Sequence, residues 1–137
     1  MTKFTVKKKG SLQLDKKTIE LVNLLERGLP IILGNEAVNF FKSSFKKGGW
    51  TDKTFNPWQP RKVPDIGRAI LVKSGDLRRS IVKNVAFKRV TISTNVSYAS
   101  KHNFGLGRMP KRQFIGDSAE LKKQMSKTIE REMNKLL

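Results

Sequence analysis

The period of the apolar residues changes twice along this chain, and those changes set the order of its elements. Ile19, Val22, Leu25, Leu29 and Ile32 recur at helical spacing. Leu33, Ala37, Val38, Phe41 and Phe45 form a second such face, with Phe40 at its margin. Over residues 81–97 the period falls to two. Ile81, Lys83, Val85, Phe87 and Arg89 share one parity, and Val90, Ile92, Thr94 and Val96 take the other. That switch predicts two antiparallel strands with a tight turn near Lys88-Arg89. From Leu121 the helical spacing returns through Met125, Ile129, Met133 and Leu136, opposite a face of Lys and Glu.

Local punctuation refines this order. Phe4 and Val6 fit a short strand before a basic turn at Lys7-Lys8-Lys9-Gly10, and Asp15 is placed to cap the first helix. Gly28 and Pro30 interrupt the helical pattern. Pro30 has no N–H to donate and disfavours helical backbone at the residue before it, so we expect a kink or two helices. The second would run over about residues 30–46, with Pro30 in its first turn, and end at Gly48-Gly49. Ser74-Gly75 breaks the chain before a single helical turn over 76–80. Residues 98–105 read as a short helix closed by Gly105, 105–110 as a loop and 112–116 as a short extended piece. Asp117, with Glu120 three residues on, has capping-box spacing for a last helix over about 118–136.

Residues 48–69 look irregular and flexible. Gly48, Gly49, Pro57, Pro60, Pro64 and Gly67 punctuate them, with Trp50, Phe55 and Trp58 between. Two indoles in a polar loop must find cover. Either they fold back onto the core, or they anchor a subunit interface, where Trp is enriched. We take Trp50, Phe55 and Trp58 as candidate interface residues.

Charge narrows the function classes. The chain has 29 Lys and Arg against 11 Asp and Glu in 137 residues, a formal net charge of +18. Such a chain repels itself when compact, which points to an acidic partner, an assembly or flexible basic parts. With no cysteine there is no disulfide, thiolate zinc site or Cys nucleophile. No apolar run is long enough to span a bilayer, and the first residues lack a signal-peptide core. A single cytoplasmic, soluble domain over 1–137 with no membrane partner is the expectation.

No catalytic constellation emerges. His102 is the one histidine, and no Ser–His–Asp spacing supports it as a base. Asp52, Asp65, Asp76 and Asp117 lie far apart, without metal-ligand spacing. Gly105-Leu106-Gly107 lacks the rest of any phosphate- or dinucleotide-binding fingerprint. No enzymatic activity, metal or cofactor is expected. The chemical signal that remains is basic. Besides Lys7-Lys8-Lys9 and Lys46-Lys47, the groups Arg61-Lys62, Arg78-Arg79, Lys88-Arg89 and Lys111-Arg112 are candidate contacts to nucleic acid or an acidic partner. No helix-turn-helix, zinc-finger or RNA-recognition signature accompanies them, so any DNA contact would be nonspecific.

Four segments occur in a telling order. Phe45-Lys46-Lys47-Gly48-Gly49-Trp50 leads into Trp58-Gln59-Pro60. Ile70-Leu71-Val72-Lys73-Ser74-Gly75-Asp76-Leu77-Arg78-Arg79-Ser80-Ile81 comes next. Tyr98-Ala99-Ser100-Lys101-His102-Asn103-Phe104-Gly105 follows, then Arg112-Gln113-Phe114-Ile115-Gly116-Asp117-Ser118. Over roughly residues 36–137 this order resembles the phage virion-morphogenesis family, the small tail-completion and neck proteins of Mu-like and related tailed phages. The resemblance implies a structural protein that completes the tail or joins it to the head, acting as an oligomer, expected to be a ring. Its implied partners are other tail, neck and portal proteins, and its implied location is the virion, assembled in the host bacterial cytoplasm. The implied fold is α+β, with a small antiparallel sheet packed against N-terminal helices and a long C-terminal amphipathic helix. That agrees with the element order above. The motif residues Gly75, Leu77, Tyr98, His102, Gly105 and Phe114 have structural readings. Gly75 and Gly105 suit backbone angles other residues avoid. Tyr98 and His102, four apart, share a helical face, so that His102 bonds a backbone carbonyl or stacks in the core. Arg112 and Phe114 share a parity in an extended segment, so a buried Phe114 requires Arg112 to pair with a carboxylate or to snorkel out.

Overall fold

A computed structural model describes residues 4–6, 12–61 and 75–137. The fold is α+β, with three separate two-stranded antiparallel sheets among the described residues in place of the single small sheet expected. Strands β1 (Phe4–Val6) and β2 (Leu12–Leu14) pair, followed by helix α1 (Lys16–Asn23). Asp15 caps α1 as expected, its Oδ1 accepting from the Thr18 N–H at 2.8 Å. That bond, and then the Thr18 side chain, hold its carboxyl below the ordinary value.

Pro30 is absorbed without ending the helical path. One π-helical turn, Leu24–Gly28, joins α1 to α2 (Leu29–Lys47), which carries Pro30 in its first turn. In an α-helix the Glu26 carbonyl would accept from residue 30, which as proline has no N–H to give. The Lys88 backbone N–H, at the turn of a distant hairpin, donates to that carbonyl instead at 2.9 Å. α2 ends at Gly48, whose φ of +72° is the left-handed conformation that closes a helix.

Over 49–57 the chain forms regular structure in place of the irregular loop expected; residues 62–69 of that loop lie outside the described residues. β3 (Gly49–Thr51) and β4 (Phe55–Pro57) form a hairpin, with the Asp52 N–H donating to the Thr54 carbonyl at 3.1 Å. Gly49 is needed for close approach, since a Cβ there would lie 2.4 Å from the Asn56 carbonyl oxygen and 2.6 Å from the Phe55 ring. The Trp58 N–H then donates to the Gly48 carbonyl at 2.8 Å, folding the hairpin back on the end of α2.

This return places both indoles in the core. Trp50 stacks on Phe41, with centroids 6.0 Å apart, and meets Phe40 edge-on. Phe40 is therefore core, not marginal. Fully buried Phe45 contacts Trp58 edge-on at 5.7 Å and Phe114 at 5.2 Å. Ala37, Leu77, Ile81, Ala99 and Leu121 complete the cluster. Leu77 comes from α3 (Asp76–Arg79), which begins at left-handed Gly75.

β5 (Val82–Ala86) and β6 (Arg89–Ser93) form the expected antiparallel pair, with Lys83 opposite Ile92 and Val85 opposite Val90; Arg89, expected in the turn, already lies in β6. Residues 87 and 88 form the turn, and Lys88 takes φ of +58°. This hairpin lies on α2 at Gly34, where a Cβ would come within 2.7 Å of a Val90 methyl carbon. Lys83 Nζ reaches the Asn35 Oδ1 on the same helix.

After α4 (Ala99–Phe104), α5 (Ala119–Asn134) starts one residue later than expected and with a different cap. Ser118, not Asp117, accepts from the Leu121 N–H at 3.1 Å while its hydroxyl donates to the Thr51 carbonyl at 2.6 Å. Asp52 accepts from the Ala119 N–H at 2.8 Å, so the β3–β4 hairpin holds the start of α5. Leu121 is buried, whereas Met125, Ile129, Met133 and Leu136 are half-buried. Thr128, off the expected stripe, is buried against Glu36 of α2 at 2.6 Å.

Two substitutions test this packing by denaturant unfolding. Phe45→Ala should cost about 3–5 kcal/mol, the cost of emptying a core aromatic site. Ser118→Ala should cost about 1–2 kcal/mol through the lost cap, while Asp117→Ala should change little because Asp117 is exposed and makes only a 3.9 Å ion pair.

Candidate functional site

The basic excess is concentrated in the middle of the chain. From residue 77 to residue 116 there is no Asp or Glu, while Arg78, Arg79, Lys83, Lys88, Arg89, Lys101, Arg108, Lys111 and Arg112 supply positive charge. The structure distributes these unevenly. Arg78 and Arg79 are exposed on α3, where Arg79 pairs with exposed Asp76 at 2.6 Å, a pair of small energetic weight. Lys88 and Arg89 are exposed at the β5–β6 turn, with the Lys88 ammonium 5.1 Å from the Phe87 ring centre. Lys62 lies outside the described residues.

Arg112 is not the surface contact the sequence suggests. It is 8% exposed. Its Nε donates to the Gln59 carbonyl at 3.0 Å, and one terminal nitrogen donates to the Gln59 and Pro60 carbonyls at 2.8 and 3.2 Å. The parity it shares with buried Phe114 is thus accommodated by main-chain oxygens, neither by a carboxylate nor by snorkelling. Burial, and then neighbouring Arg61, weaken its hold on its proton.

A second side chain braces the same segment. The Asn103 Oδ1 accepts from the Phe114 and Ile115 N–H groups at 2.9 and 3.0 Å, and the Arg112 N–H donates to the His102 carbonyl at 2.7 Å. The Trp58 indole N–H donates to the Gln113 carbonyl at 2.8 Å. Residues 58–60 and 112–115 are therefore bound to each other from both sides. Gly105 enables this return, with φ of +67° and no room for a Cβ, which would sit 2.9 Å from the Lys111 main chain. The two indoles, covered within this framework, are not interface anchors; core cover, the other reading of them, is what the fold uses. Phe55, by contrast, is exposed.

The framework borders a cleft of about 490 Å³ lined by Gln59, Pro60, Arg61, Gly107, Arg108, Met109, Pro110 and Arg112. Of the expected basic residues it gathers Arg61 and Arg112, and Lys111 adjoins it in sequence. It adds Arg108, which the sequence reading passed over because it stands alone between Gly107 and Met109. Asn103 was also missed, since only its carbonyl acceptor role, a tertiary property, marks it out. Met109 of this lining is exposed, as are Leu106 and Phe104 before it in the chain, Phe104 at 62%.

His102 meets Tyr98 edge-on at 5.8 Å, as their spacing implies. Its Nδ1 is buried without a hydrogen-bond partner. Burial, then Arg112, lower its proton affinity from the ordinary 6.5. No group of three His, Cys, Asp or Glu that would hold a metal occurs among the described residues.

Residues 34–134 match the phage virion morphogenesis family. The match begins within α2 and ends at the last residue of α5. No curated protein and no solved structure matches the chain.

Removing the Arg112 guanidinium should destabilise the fold. Arg112→Met should cost about 1.5–3 kcal/mol, in the range for hydrogen bonds to a charged donor, with Arg112→Lys intermediate, both read by chemical denaturation. His102 gives a pH signature. Its depressed folded-state value means the unfolded chain binds the proton more readily. Stability is full above 6.5 and falls as pH drops from there towards the folded value. A His102→Gln variant melted across that range should lose this part of the acid sensitivity.

Proposed function

The chain belongs to the phage virion morphogenesis family, so its role lies in building a phage particle, and from that premise we propose that it completes the tail or joins it to the head by oligomerising. The observation that carries this reading is the exposed group Phe104, Leu106 and Met109 on α4 and the loop after it. These side chains stay uncovered although the chain has buried both of its indoles; Leu106 and Met109 line one shallow depression and Phe104 lies two residues before Leu106, and exposed apolar surface of this kind marks protein interaction sites. The loop that presents them is held in shape: the Leu106 N–H donates to the Lys101 carbonyl and the Met109 N–H to the Leu106 carbonyl, at 3.1 and 3.2 Å. A rigid apolar surface of this kind loses little conformational freedom on docking.

We read the role as architectural, without catalysis. The partners are further copies of the chain, expected in a ring, and other tail, neck or portal proteins, met in the host bacterial cytoplasm. Light scattering on the purified protein, alone and with tail or portal components, tests this. Wild type should gain mass alone or with those components. Phe104→Asp with Leu106→Asp should abolish that gain while thermal melting stays within a few degrees, since both sites are exposed. A strict monomer that binds none of the components would defeat the reading.

A further inference from the structure

We propose that the cleft between residues 59–61 and 107–112 binds the phosphates of double-stranded DNA without reading its sequence. Arg108 is the principal donor, Arg61 flanks it, and Arg112 supplies buried positive charge behind them. This goes beyond the assembly role and does not depend on it.

Three observations carry the inference. The cleft brings Arg61, Arg108 and Arg112 to one place, and among the described residues no carboxylate lines it. Arg112 is more than nine-tenths buried and bonded to carbonyls, which carry no formal charge, so its positive charge is held in position yet not cancelled there. A fixed cation at the back of a cleft, in surroundings less polar than water, strengthens the attraction for an anion at its mouth. The walls are also built beforehand. Arg112 grips residues 59 and 60, and left-handed Gly105 and Gly107 shape the loop that carries Arg108. An anion therefore meets donors already in place, and the guanidinium fork matches the paired oxygens of a phosphate.

The choice of duplex DNA follows from what surrounds the cleft. The stretch from 77 to 116 holds basic residues and no acidic one, and the whole chain carries +18. A polymer with a negative charge about every 1.7 Å along its axis suits such dispersed positive charge. Among the described residues no aromatic side chain lines the cleft, so they offer no stacking platform for the bases of a single strand. Nor, among the described residues, does any helix of the size that enters a major groove lie along it, which leaves phosphate contact without base readout.

The experiment uses the full chain and a short labelled duplex of mixed sequence, with binding followed by anisotropy across about 50–200 mM salt. Wild type should bind with a steep salt dependence. At ~0.9 log units of salt slope per phosphate contact, Arg108→Gln should weaken binding about eightfold near 0.1 M salt and flatten the slope by about 0.9. Arg61→Gln should act in the same direction. Lys127→Gln, which removes one exposed charge from α5, should change affinity less than about twofold. Polyphosphate should compete and polyglutamate of equal charge should not. Mass by light scattering is read on the same samples. Arg108→Gln that assembles like wild type but binds DNA poorly supports the cleft. Equal losses for Arg108→Gln and Lys127→Gln, full competition by polyglutamate, tighter binding of a single strand, or loss of assembly with DNA binding intact would each overturn it.

Discussion

The buried Phe45 ring is the point from which the rest of this fold is positioned. It is contributed by the last turns of α2, and it touches Trp58 and Phe114, which come from segments more than fifty residues apart in sequence. Those two residues flank the polar ties between the segments. The Trp58 indole donates to the residue before Phe114, and Arg112 donates to the two residues after Trp58. The aromatic contact brings the segments together, and the hydrogen bonds set their register. Apolar burial is non-directional, whereas an indole or guanidinium N–H is not. The cationic cleft is the outer face of that same junction, so its shape is set by core packing and not by surface loops alone.

The order of the longer elements was legible because each carried its own period. Alternation over residues 81–97 predicted the antiparallel pair β5–β6, and the α5 spacing predicted a helix whose apolar stripe leads with buried Leu121. The β3–β4 hairpin was not legible. Its strands are three residues each, too short for alternation to appear, and its glycine is required by a tertiary approach to Phe55 and Asn56. The indoles posed a different difficulty. A core and a subunit interface both reward burial of Trp, so composition alone does not separate them.

The charged residues were the hardest to place. Arg112 posed a visible puzzle in its shared parity with Phe114, but its solution lies in carbonyl groups that every residue possesses and that no sequence pattern marks. Pairs of basic residues drew attention to Arg78-Arg79 and Lys88-Arg89, while the solitary Arg108 lines the cleft. Pairing in sequence thus finds Arg61 and Arg112 of the cleft but not Arg108, which the sharp turn between Gly105 and Arg112 brings beside them. The cap of α5 shows the same lesson on a smaller scale. Asp117 has the right spacing to Glu120, yet Ser118 wins because its hydroxyl both accepts from the helix and donates to β3.

The π turn at Leu24–Gly28 has a bearing on how the chain folds. Its Glu26 carbonyl finds its donor sixty-two positions away, at Lys88. The amino-terminal helical pair is therefore left one main-chain bond short until the β5–β6 hairpin reaches it. Such distant closure raises contact order, which slows folding because loop entropy is lost before the contact forms. A nascent chain leaving the ribosome would hold α1 and α2 in an unfinished state until residue 88 has emerged, which ties completion of the first half of the molecule to synthesis of the second.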